Sequence, residues 1–515
     1  MVDVADGRAV LPDRIDVVVV GAGNAALCAA LSAADNGARV VVLERAPAEL
    51  AGGNTAFTGG GMRFPYRGQE DLLKLVPDLS AQERGNVDFG SYSEEDFYDD
   101  IARVTEYRAD PDLSELLVTR SFAAVQWLAG HGVTFAPSYG RQAFKVGGRQ
   151  KFWGGAPLEV SGNGRGLIQA LTRAARRAGV VILYQARALS LLADDSGVNG
   201  VVARIAGRTT RIAAACVVLA SGGFEANREW RARYLGPGWD LAKVRGSRFN
   251  TGDGIAMALE AGAAPAGHWS GCHAVGWDLN APEFGDLAVG NGFNRHAYPL
   301  GIMVNAQGRR FVDEGADIRN FTYAKYGREI LRQPGQFAWQ IYDARVKDLL
   351  QRSHYRIPQV TRVTADTVEE LAGKLDGVDA TRCLQTIREF NAAATSQLPF
   401  DPAVKDGRST AGLALPKSNW ANPIDQPPYE AFAVTCGVTF TFGGLRVTTG
   451  AQVVSTDADP IPGLYACGEL VGGLFYFNYP GNSGLSWGSV MGRIAGQNAA
   501  AAARSGPRPD ETRDA

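Results

Sequence analysis

Cysteines are few in this chain of 515 residues, and they are widely separated. The six positions form no C-x-x-C pair: Cys28, Cys216, Cys272, Cys383, Cys436 and Cys467. This spacing excludes a disulfide framework and the usual zinc or iron–sulfur ligand sets, so we predict no metal site. If electrons pass through the chain, a bound organic cofactor must carry them.

The sequence also lacks long hydrophobic runs and any excess of charge of one sign. No apolar stretch approaches the roughly 18 residues of a membrane-spanning helix, and the acidic N-terminus has no apolar core typical of a secretory signal. Basic residues number 52 and acidic residues 54, which excludes the basic surface of a nucleic-acid-binding protein. We therefore expect a cytoplasmic protein with no nucleic-acid partner and no membrane insertion.

Glycine, by contrast, is abundant, and its 63 residues lie in short clusters without a periodic repeat. Such clusters are typical of a backbone that approaches a large ligand at several places. The hydrophobic content of 45% and the charged content of 21% are those of an ordinary globular protein. The length predicts two or three domains.

The chain is organised around residues 16–44. Four valines at 17–20 predict a buried parallel strand; a glycine-rich turn and a helix follow directly, and a second strand ends in Glu44. Gly21 permits the turn, and Gly23 lets backbone approach a pyrophosphate at the helix N-terminus. Glu44 has the spacing of a carboxylate that accepts from a ribose hydroxyl. The pattern predicts a dinucleotide without a 2′-phosphate, FAD or NAD, and the alternative is a glycine turn in an unrelated α/β protein.

Four later segments are also glycine-rich turns next to predicted strands or helices: 51–62, 221–224, 249–254 and 463–473. A strand that runs into a small-residue turn brings backbone to the carboxyl edge of a parallel sheet, where ligands bind. Within 249–254, Asp253 either caps a helix or contacts the cofactor, and the sequence favours neither interpretation. A helix N-terminus near 483 would stabilise negative charge on a reduced ring system.

The composition changes near residue 265, where aromatic side chains and histidines concentrate. Amphipathic helices follow between 366 and 396. We interpret 265–412 as a separate substrate-capping domain. It interrupts a nucleotide-binding domain that consists of 14–264, with a helical excursion at about 65–150, and of 413–507.

Seven stretches of the chain are similar to flavoproteins of the fumarate reductase/succinate dehydrogenase superfamily. They are VVGAGNAALCAALSA, SGGFEANREW, GSRFNTG, GRRFVDEGAD, QPGQFAWQIYDA, NPIDQPPYEAF and GVTFTFGG. The resemblance covers about 14 to 503 and is greatest to the tricarballylate dehydrogenase branch. It implies an α/β fold: a Rossmann-like FAD-binding domain, with a parallel sheet of the glutathione-reductase type, interrupted by an α+β substrate-capping domain.

The same resemblance implies FAD as the cofactor. Covalent members attach the flavin through a histidine in the loop that corresponds to 51–62; this chain has none there, so we expect non-covalent FAD. The residues expected at the cofactor are Gly21, Gly23, Asn24, Ala25, Glu44, Arg45, Gly53, Asn54, Thr55, Thr58, Gly60, Gly61, Ala186, Ser221, Gly222, Gly223, Asn250, Asp253, Gly468, Glu469, Asn482, Ser483, Leu485 and Ser486.

For catalysis, the superfamily moves a hydride between flavin N5 and a substrate carbon, and a proton to or from the neighbouring carbon. Donors must stabilise the developing negative charge, and a proton carrier must reach the second carbon. The resemblance gives five candidates for these tasks: His273, Glu314, Arg319, Arg345 and Tyr479. Four of the five have a structural alternative: a core position for His273, an ion pair of Glu314 with Arg319, and a surface position for Arg345.

Two departures from the superfamily pattern bear on the substrate. Fumarate reductases carry a histidine in the strand where this chain has Thr439, Phe440 and Thr441, and an arginine where it has Tyr479. Two carboxylate-holding groups are therefore missing, which disfavours fumarate itself. The turn at Tyr479 is also similar to that of 3-ketosteroid dehydrogenases, where the tyrosine helps to polarise the ketone. A hydroxyl is a good donor to a carbonyl and a weak clamp for a carboxylate.

We expect an FAD-dependent oxidoreductase that forms or reduces a C–C double bond beside a carboxylate or carbonyl, with a tricarballylate-like acid as the leading substrate. The alternative substrate is a steroid-like or aromatic ketone. An alternative of another class is a flavin-binding subunit without chemistry of its own. The expected partners are a small-molecule substrate and, as an option, a separate electron-transfer protein; the direction of reaction and the oligomeric state stay open.

Overall fold

The computed structural model describes residues 11–12 and 14–505. Two predictions concern residues partly outside this range: the N-terminus, where we predict no secretory signal, and the end of the segment 413–507. The strands are β1 (Val17–Val20), β2 (Val40–Leu43), β3 (Val87–Asp88), β4 (Phe135–Pro137), β5 (Ala143–Val146), β6 (Arg149–Phe152), β7 (Leu158–Val160), β8 (Val181–Leu183), β9 (Ala186–Asp194), β10 (Gly197–Ile205), β11 (Arg208–Ala213), β12 (Cys216–Leu219), β13 (Lys243–Val244), β14 (Pro265–Asp278), β15 (Ile302–Asn305), β16 (Phe337–Tyr342), β17 (Arg362–Ala365), β18 (Tyr429–Leu445), β19 (Gln452–Val454) and β20 (Pro460–Ala466).

The helices alternate with these strands through most of the chain. They are α1 (Asn24–Asp35), α2 (Gln69–Leu73), α3 (Ala81–Gly85), α4 (Glu94–Val104), α5 (Pro111–Gly130), α6 (Tyr139–Gln142), α7 (Asn163–Arg177), α8 (Arg228–Trp230), α9 (Asp253–Glu260), α10 (Tyr323–Leu331), α11 (Arg352–Tyr355), α12 (Val368–Lys374), α13 (Ala380–Ala393) and α14 (Ser483–Ser505). Among the described residues, none of these helices has the length and apolar content needed to cross a membrane.

The main sheet has the strand order β19-β20-β12-β1-β2-β8, and every neighbouring pair except β19 and β20 runs parallel. Its central strands β1, β2 and β12 consist almost entirely of valine and leucine and are buried throughout. Runs of this kind are typical of a parallel sheet that helices cover on both faces. The predicted α/β fold class with a Rossmann-like parallel sheet is confirmed.

Helix α14 packs against α1 at very short range, because its glycines face the backbone of α1. A Cβ at Gly492 would lie 2.4 Å from the carbonyl oxygen of Ala25. Asn24 joins the two helix N-termini by donating to the carbonyl oxygen of Leu485 at 2.8 Å. Both N-termini therefore lie at the carboxyl edge of the main sheet, where a ligand can use them.

Two continuous stretches of the chain are each divided between two sheets in the structure. The stretch 180–192 forms β8 in the main sheet and then β9, which pairs with β10 and β11 in a separate antiparallel sheet. Gln185 between them has a left-handed conformation with φ of 53°, which turns the chain out of the main sheet. The stretch 211–220 is likewise shared between β11 and β12.

A second sheet, the cap sheet, has the order β13-β18-β16-β15, and β14 and β17 also pair with β18. The 17-residue strand β18 is its central member, and its register with β14 sets His273 opposite Phe440. The cap sheet thus extends beyond the predicted segment 265–412 on both sides, to β13 and to β18. These pairings join residues that are far apart in sequence, so the change in composition near 265 does not reveal them.

Candidate active site

A large cavity lies between the carboxyl edge of the main sheet and the cap sheet. All but three of the predicted cofactor residues line its end at the main sheet, here called the nucleotide end. The exceptions are Gly223, Ser483 and Ser486. The hydroxyl of Ser486 instead accepts from the backbone N–H of Arg63 at 3.0 Å.

The first glycine turn leaves room for a phosphate. Gly21 has φ of 108°, and a Cβ there would lie 2.5 Å from the carbonyl oxygen of Ala220, so the turn itself requires glycine. Gly23 has an ordinary φ of −78°, and a Cβ there would meet no protein atom closer than 3.7 Å. Glu44 holds the turn by accepting from the backbone N–H of Ala22 at 2.8 Å, and burial raises its pKa. The open space over Gly23, at the N-terminus of α1, therefore suits a pyrophosphate.

Asp253 does not cap α9, which begins after Gly252 without a side-chain cap. Its carboxylate instead pairs with Arg45 at 3.0 Å and with Arg187 at 2.9 Å. The first of the two sequence interpretations is thus wrong, because two guanidinium groups already occupy the carboxylate. Asp253 and both arginines line the nucleotide end.

The residues present at the nucleotide end fit FAD. The hydroxyl oxygen of Ser221, which lines this end, is buried and has no hydrogen-bond partner in the described part of the chain, so it can serve a polar ligand. The loop 51–62 contains no histidine, cysteine or tyrosine that could bond to a flavin ring. A dinucleotide held by backbone, glycine turns and helix N-termini matches this donor set.

Two buried carboxyl groups face each other behind the nucleotide end. A Cβ at Gly223 would meet Glu469 Oε1 at 2.2 Å and Glu225 Oε2 at 2.8 Å, so these two oxygens lie close together. Glu225 accepts from Asn250 at 2.7 Å, and Glu469 accepts from the backbone N–H of Thr441 at 2.8 Å. Neither takes part in a salt bridge among the described residues. Burial raises the pKa of both carboxyl groups, and we infer that the pair shares one proton.

This pair predicts a pH-dependent stability. A carboxyl group whose pKa is raised in the folded state stabilises the protein at low pH, and this contribution is lost as the pH rises through the folded pKa. We expect the free energy of unfolding of the wild-type holoenzyme to fall relative to that of Glu225→Gln as the pH rises above about 5, by at most ~1.4 kcal/mol per pH unit and proton, and its melting temperature to fall with it. Thermal unfolding at several pH values measures this, with the exposed Glu49→Gln as control. Parallel pH profiles of wild type and Glu225→Gln would contradict the shared proton.

The opposite end of the cavity, the cap end, contains two arginines without a carboxylate partner in the described residues. Arg245 is 8% exposed and donates to Asn291 Oδ1 at 2.7 Å and to Thr439 Oγ1 at 3.3 Å, while its Nε has no partner. Arg319 is 7% exposed, and its guanidinium lies 4.8 Å from the ring centre of Trp153. Burial lowers the pKa of Arg319 to about 10, so it stays charged at neutral pH. Buried guanidinium groups without a counter-ion favour an anionic ligand.

Three of the five histidines also line the cap end: His273, His296 and His354. Burial lowers the pKa of all three well below the usual value, and nearby guanidinium groups add to the effect. They are therefore neutral at physiological pH. The Nε2 atoms of His273 and His296 are buried and have no partner in the described residues, so both rings can hydrogen-bond a ligand.

A pair of tyrosines lies beside His273. The hydroxyl oxygens of Tyr479 and Tyr323 are 2.6 Å apart, and the ring centre of His273 is 4.7 Å from that of Tyr479. Burial raises the pKa of Tyr479 well above its usual value. Its hydroxyl stays protonated and can donate to a carbonyl or carboxylate oxygen.

Two of the predicted catalytic residues do not line the cavity. Glu314 pairs with Arg310, whose Nε lies 3.1 Å from Oε1, and therefore not with Arg319 as the structural alternative had it. Arg345 donates to Asp425 at 2.7 Å and to the carbonyl oxygen of Pro423 at 2.6 Å. Both side chains are already paired within the protein, so we leave them out of the proposed catalytic set. The other three candidates line the cap end.

Four cap-end residues are missed by the sequence analysis: Arg245, His296, Tyr323 and His354. Arg245 lies in the stretch GSRFNTG, which is one of those that carry the resemblance, so a signal for it is present in the sequence. Thr439, in the strand where fumarate reductases carry a histidine, accepts a hydrogen bond from it. The arginine thus supplies positive charge that the departures in the sequence had appeared to remove.

This fold and this cavity define a dinucleotide-binding flavoprotein with a capped substrate site. Residues 16–485 match the family model described as an FAD binding domain. The chain belongs to this family, and FAD is its cofactor. It is an FAD-dependent oxidoreductase, as predicted.

Known proteins of similar sequence and structure support the same assignment. The fumarate reductase (cytochrome) of Shewanella frigidimarina is 29% identical over 491 residues, which cover 95% of this chain and 77% of that protein. The 3-oxosteroid 1-dehydrogenase of Mycobacterium tuberculosis is 28% identical, with 92% of this chain and 95% of that protein covered. The open conformation of a flavocytochrome c3 fumarate reductase has a TM-score of 0.71 at 29% identity, with 96% and 79% covered. The predicted superfamily is confirmed.

Proposed function

We propose that this enzyme forms or reduces a C–C double bond in a substrate with at least two carboxylate groups, and that a tricarballylate-like acid is the leading candidate. The observation that supports this is the presence of Arg245 and Arg319 at the cap end, both buried and both without a carboxylate partner among the described residues. A ligand with separated carboxylates would pair with both groups. A neutral ketone would leave two buried charges uncompensated.

Each cap-end side chain has a role in this proposal. Arg245 and Arg319 bind carboxylate groups and hold the reacting carbons toward the cofactor. FAD, when bound, supplies the hydride transfer. His273 is neutral and has a free Nε2, so it can hold or move the proton of the neighbouring carbon. Positive charge from the arginines stabilises the negative charge that develops on the activated carboxylate.

A cytoplasmic location and a separate electron-transfer partner are part of the proposal. All six cysteines are buried free thiols, as is usual in a reducing compartment. An electron-transfer partner is proposed because oxidation or reduction of the substrate must be balanced by electron exchange with a second molecule.

The direct test is anaerobic mixing of the holoenzyme with tricarballylate. We expect the flavin absorbance to bleach with the acid and not with its trimethyl ester, which has the same carbon skeleton without the charges. If the oxidised enzyme does not react, the chemically reduced enzyme is mixed with the corresponding unsaturated acid and its ester. Equal reaction with acid and ester in the active direction would contradict a carboxylate substrate.

A ketone is the second candidate, and the pair Tyr479–Tyr323 is the observation that favours it. The hydroxyls of the two tyrosines can polarise a carbonyl. A relative of this chain, the 3-oxosteroid 1-dehydrogenase, also supports a ketone. We expect Tyr479→Phe to lower turnover of a 3-ketosteroid by about 100-fold if the ketone is the substrate, since one oxyanion donor is worth that much. Under the carboxylate proposal, Tyr479→Phe changes tricarballylate turnover by less than about tenfold. Steady-state kinetics with a dye acceptor distinguish the two, and equal activity on both substrates would remove Tyr479 from the mechanism.

A further inference from the structure

A second cavity adjoins the active-site cavity on the side of the cap end. It lies between the hairpin β5–β6 and the chain segment 348–353. Four side chains line both cavities and form the wall between them: Arg141, His296, Arg319 and Gln351. The proposed carboxylate-binding Arg319 is therefore reached from both sides.

The dividing wall has free polar atoms. His296 Nε2 and Gln351 Oε1 are buried and have no hydrogen-bond partner among the described residues. Arg319 donates a hydrogen bond to the carbonyl oxygen of Arg141. A wall built of side chains can open by rotamer changes, without movement of a strand or helix.

Positive charge is concentrated along the second cavity. Arg141 and Arg319 lie at its inner end, Lys145 and Arg352 are exposed, and the lining contains one acidic side chain, Asp348. Of these cations, the described residues provide a carboxylate partner only for Arg141, which pairs with Glu159 at 2.6 Å. The remaining walls are largely apolar, for example Phe144, Trp153 and Trp420. Low-dielectric walls with charge of one sign attract an oppositely charged ligand.

We propose that the second cavity is the vestibule through which an anionic substrate reaches the active site. Lys145 and Arg352 collect the carboxylate at the mouth, and Arg319 takes it over at the dividing wall. The proposal rests on the proposed function for the charge of the substrate. It adds the direction of approach and two residues that set the rate of binding.

Removing the charge at the mouth tests the collecting role. The double variant Lys145→Gln/Arg352→Gln should lower the second-order rate of flavin bleaching by tricarballylate about tenfold at low ionic strength, and reduce its dependence on salt. The rate at saturating substrate should not change, because neither side chain lines the active-site cavity. Lys347→Gln, which neutralises an exposed lysine next to the vestibule but outside its lining, is the matched control. An unchanged second-order rate and salt dependence in the double variant would overturn the collecting role.

Narrowing the mouth tests the route independently of charge. Ser353 is exposed and lines only the second cavity, so Ser353→Trp should lower the second-order rate and leave the saturated rate and the flavin spectrum unchanged. If the proposed function fails and a neutral ketone is the substrate, the same variant is measured with that ketone. A lowered second-order rate in Ser353→Trp would then support the route. An unchanged rate in the double variant would show that charge at the mouth does not steer the substrate. An unchanged rate in Ser353→Trp with the active substrate would overturn the route itself.

Discussion

Arg245→Gln should lower the flavin bleaching rate with tricarballylate by about 100- to 5000-fold, because removing one partner of a buried charge pair costs ~3–5 kcal/mol. In the variant, the substrate carboxylate enters a buried site without its counter-charge, and the amide of glutamine replaces only part of the hydrogen bonding. The loss should fall on both substrate binding and the saturated rate, since the same charge stabilises the activated carboxylate. Anaerobic stopped-flow kinetics measure both quantities.

The chain offers a close control for this experiment. Arg248 lies three residues further along, is exposed, and has its guanidinium 5.5 Å from the ring centre of Phe284, away from the cavity lining. Arg248→Gln should therefore behave as wild type. Arg245→Lys should recover part of the activity, because it restores the charge without the two-pronged geometry. Wild-type kinetics in Arg245→Gln would remove the carboxylate proposal, because Arg245 is one of its two anion-binding groups.

The nucleotide end could be predicted from sequence because its signals are local. Three elements follow one another within a few residues: the strand of valines, the turn at Gly21 and the helix after Gly23. The residues within each element and directly beside it determine its conformation. The parallel sheet and the cofactor follow from this pattern together with the resemblance. A turn that only glycine can adopt is visible in a single sequence.

The cap end could be predicted only in part, since distant segments assemble it. Arg245 follows β13, and its burial depends on the pairing of β13 with β18, a strand that lies almost two hundred residues away. The motif comparison also does not show how Glu314 and Arg345 are paired: Arg310, four residues away in the same stretch, neutralises Glu314, and Asp425, eighty residues away, neutralises Arg345. Residue type and motif position indicate a charge, but only the packing determines whether the charge is free for a substrate.

The glycine at position 23 gives a second large effect, on the cofactor. Gly23→Ala should weaken FAD binding by about tenfold to 100-fold, since an added methyl group in a filled site costs ~1–3 kcal/mol. The apoprotein has room for this methyl group, because its nearest protein atoms would be Gly52 O and Thr55 Oγ1, both at 3.7 Å. The melting temperature of the apoprotein should therefore stay unchanged. Fluorescence titration of apoprotein with FAD and thermal unfolding without FAD measure the two properties separately.

Gly21→Ala provides the contrasting case. Its φ of 108° and the contact of 2.5 Å to the carbonyl oxygen of Ala220 mean that the methyl group collides with the protein itself. Gly21→Ala should thus lower the melting temperature of the apoprotein as well as the affinity for FAD. Gly130→Ala, where a Cβ meets no atom within 4 Å, controls for the general effect of the substitution. If Gly23→Ala binds FAD as tightly as wild type does, the pyrophosphate does not lie over Gly23. The helix N-terminus of α1 would then have no part in cofactor binding, since Gly23 is the residue that leaves it open.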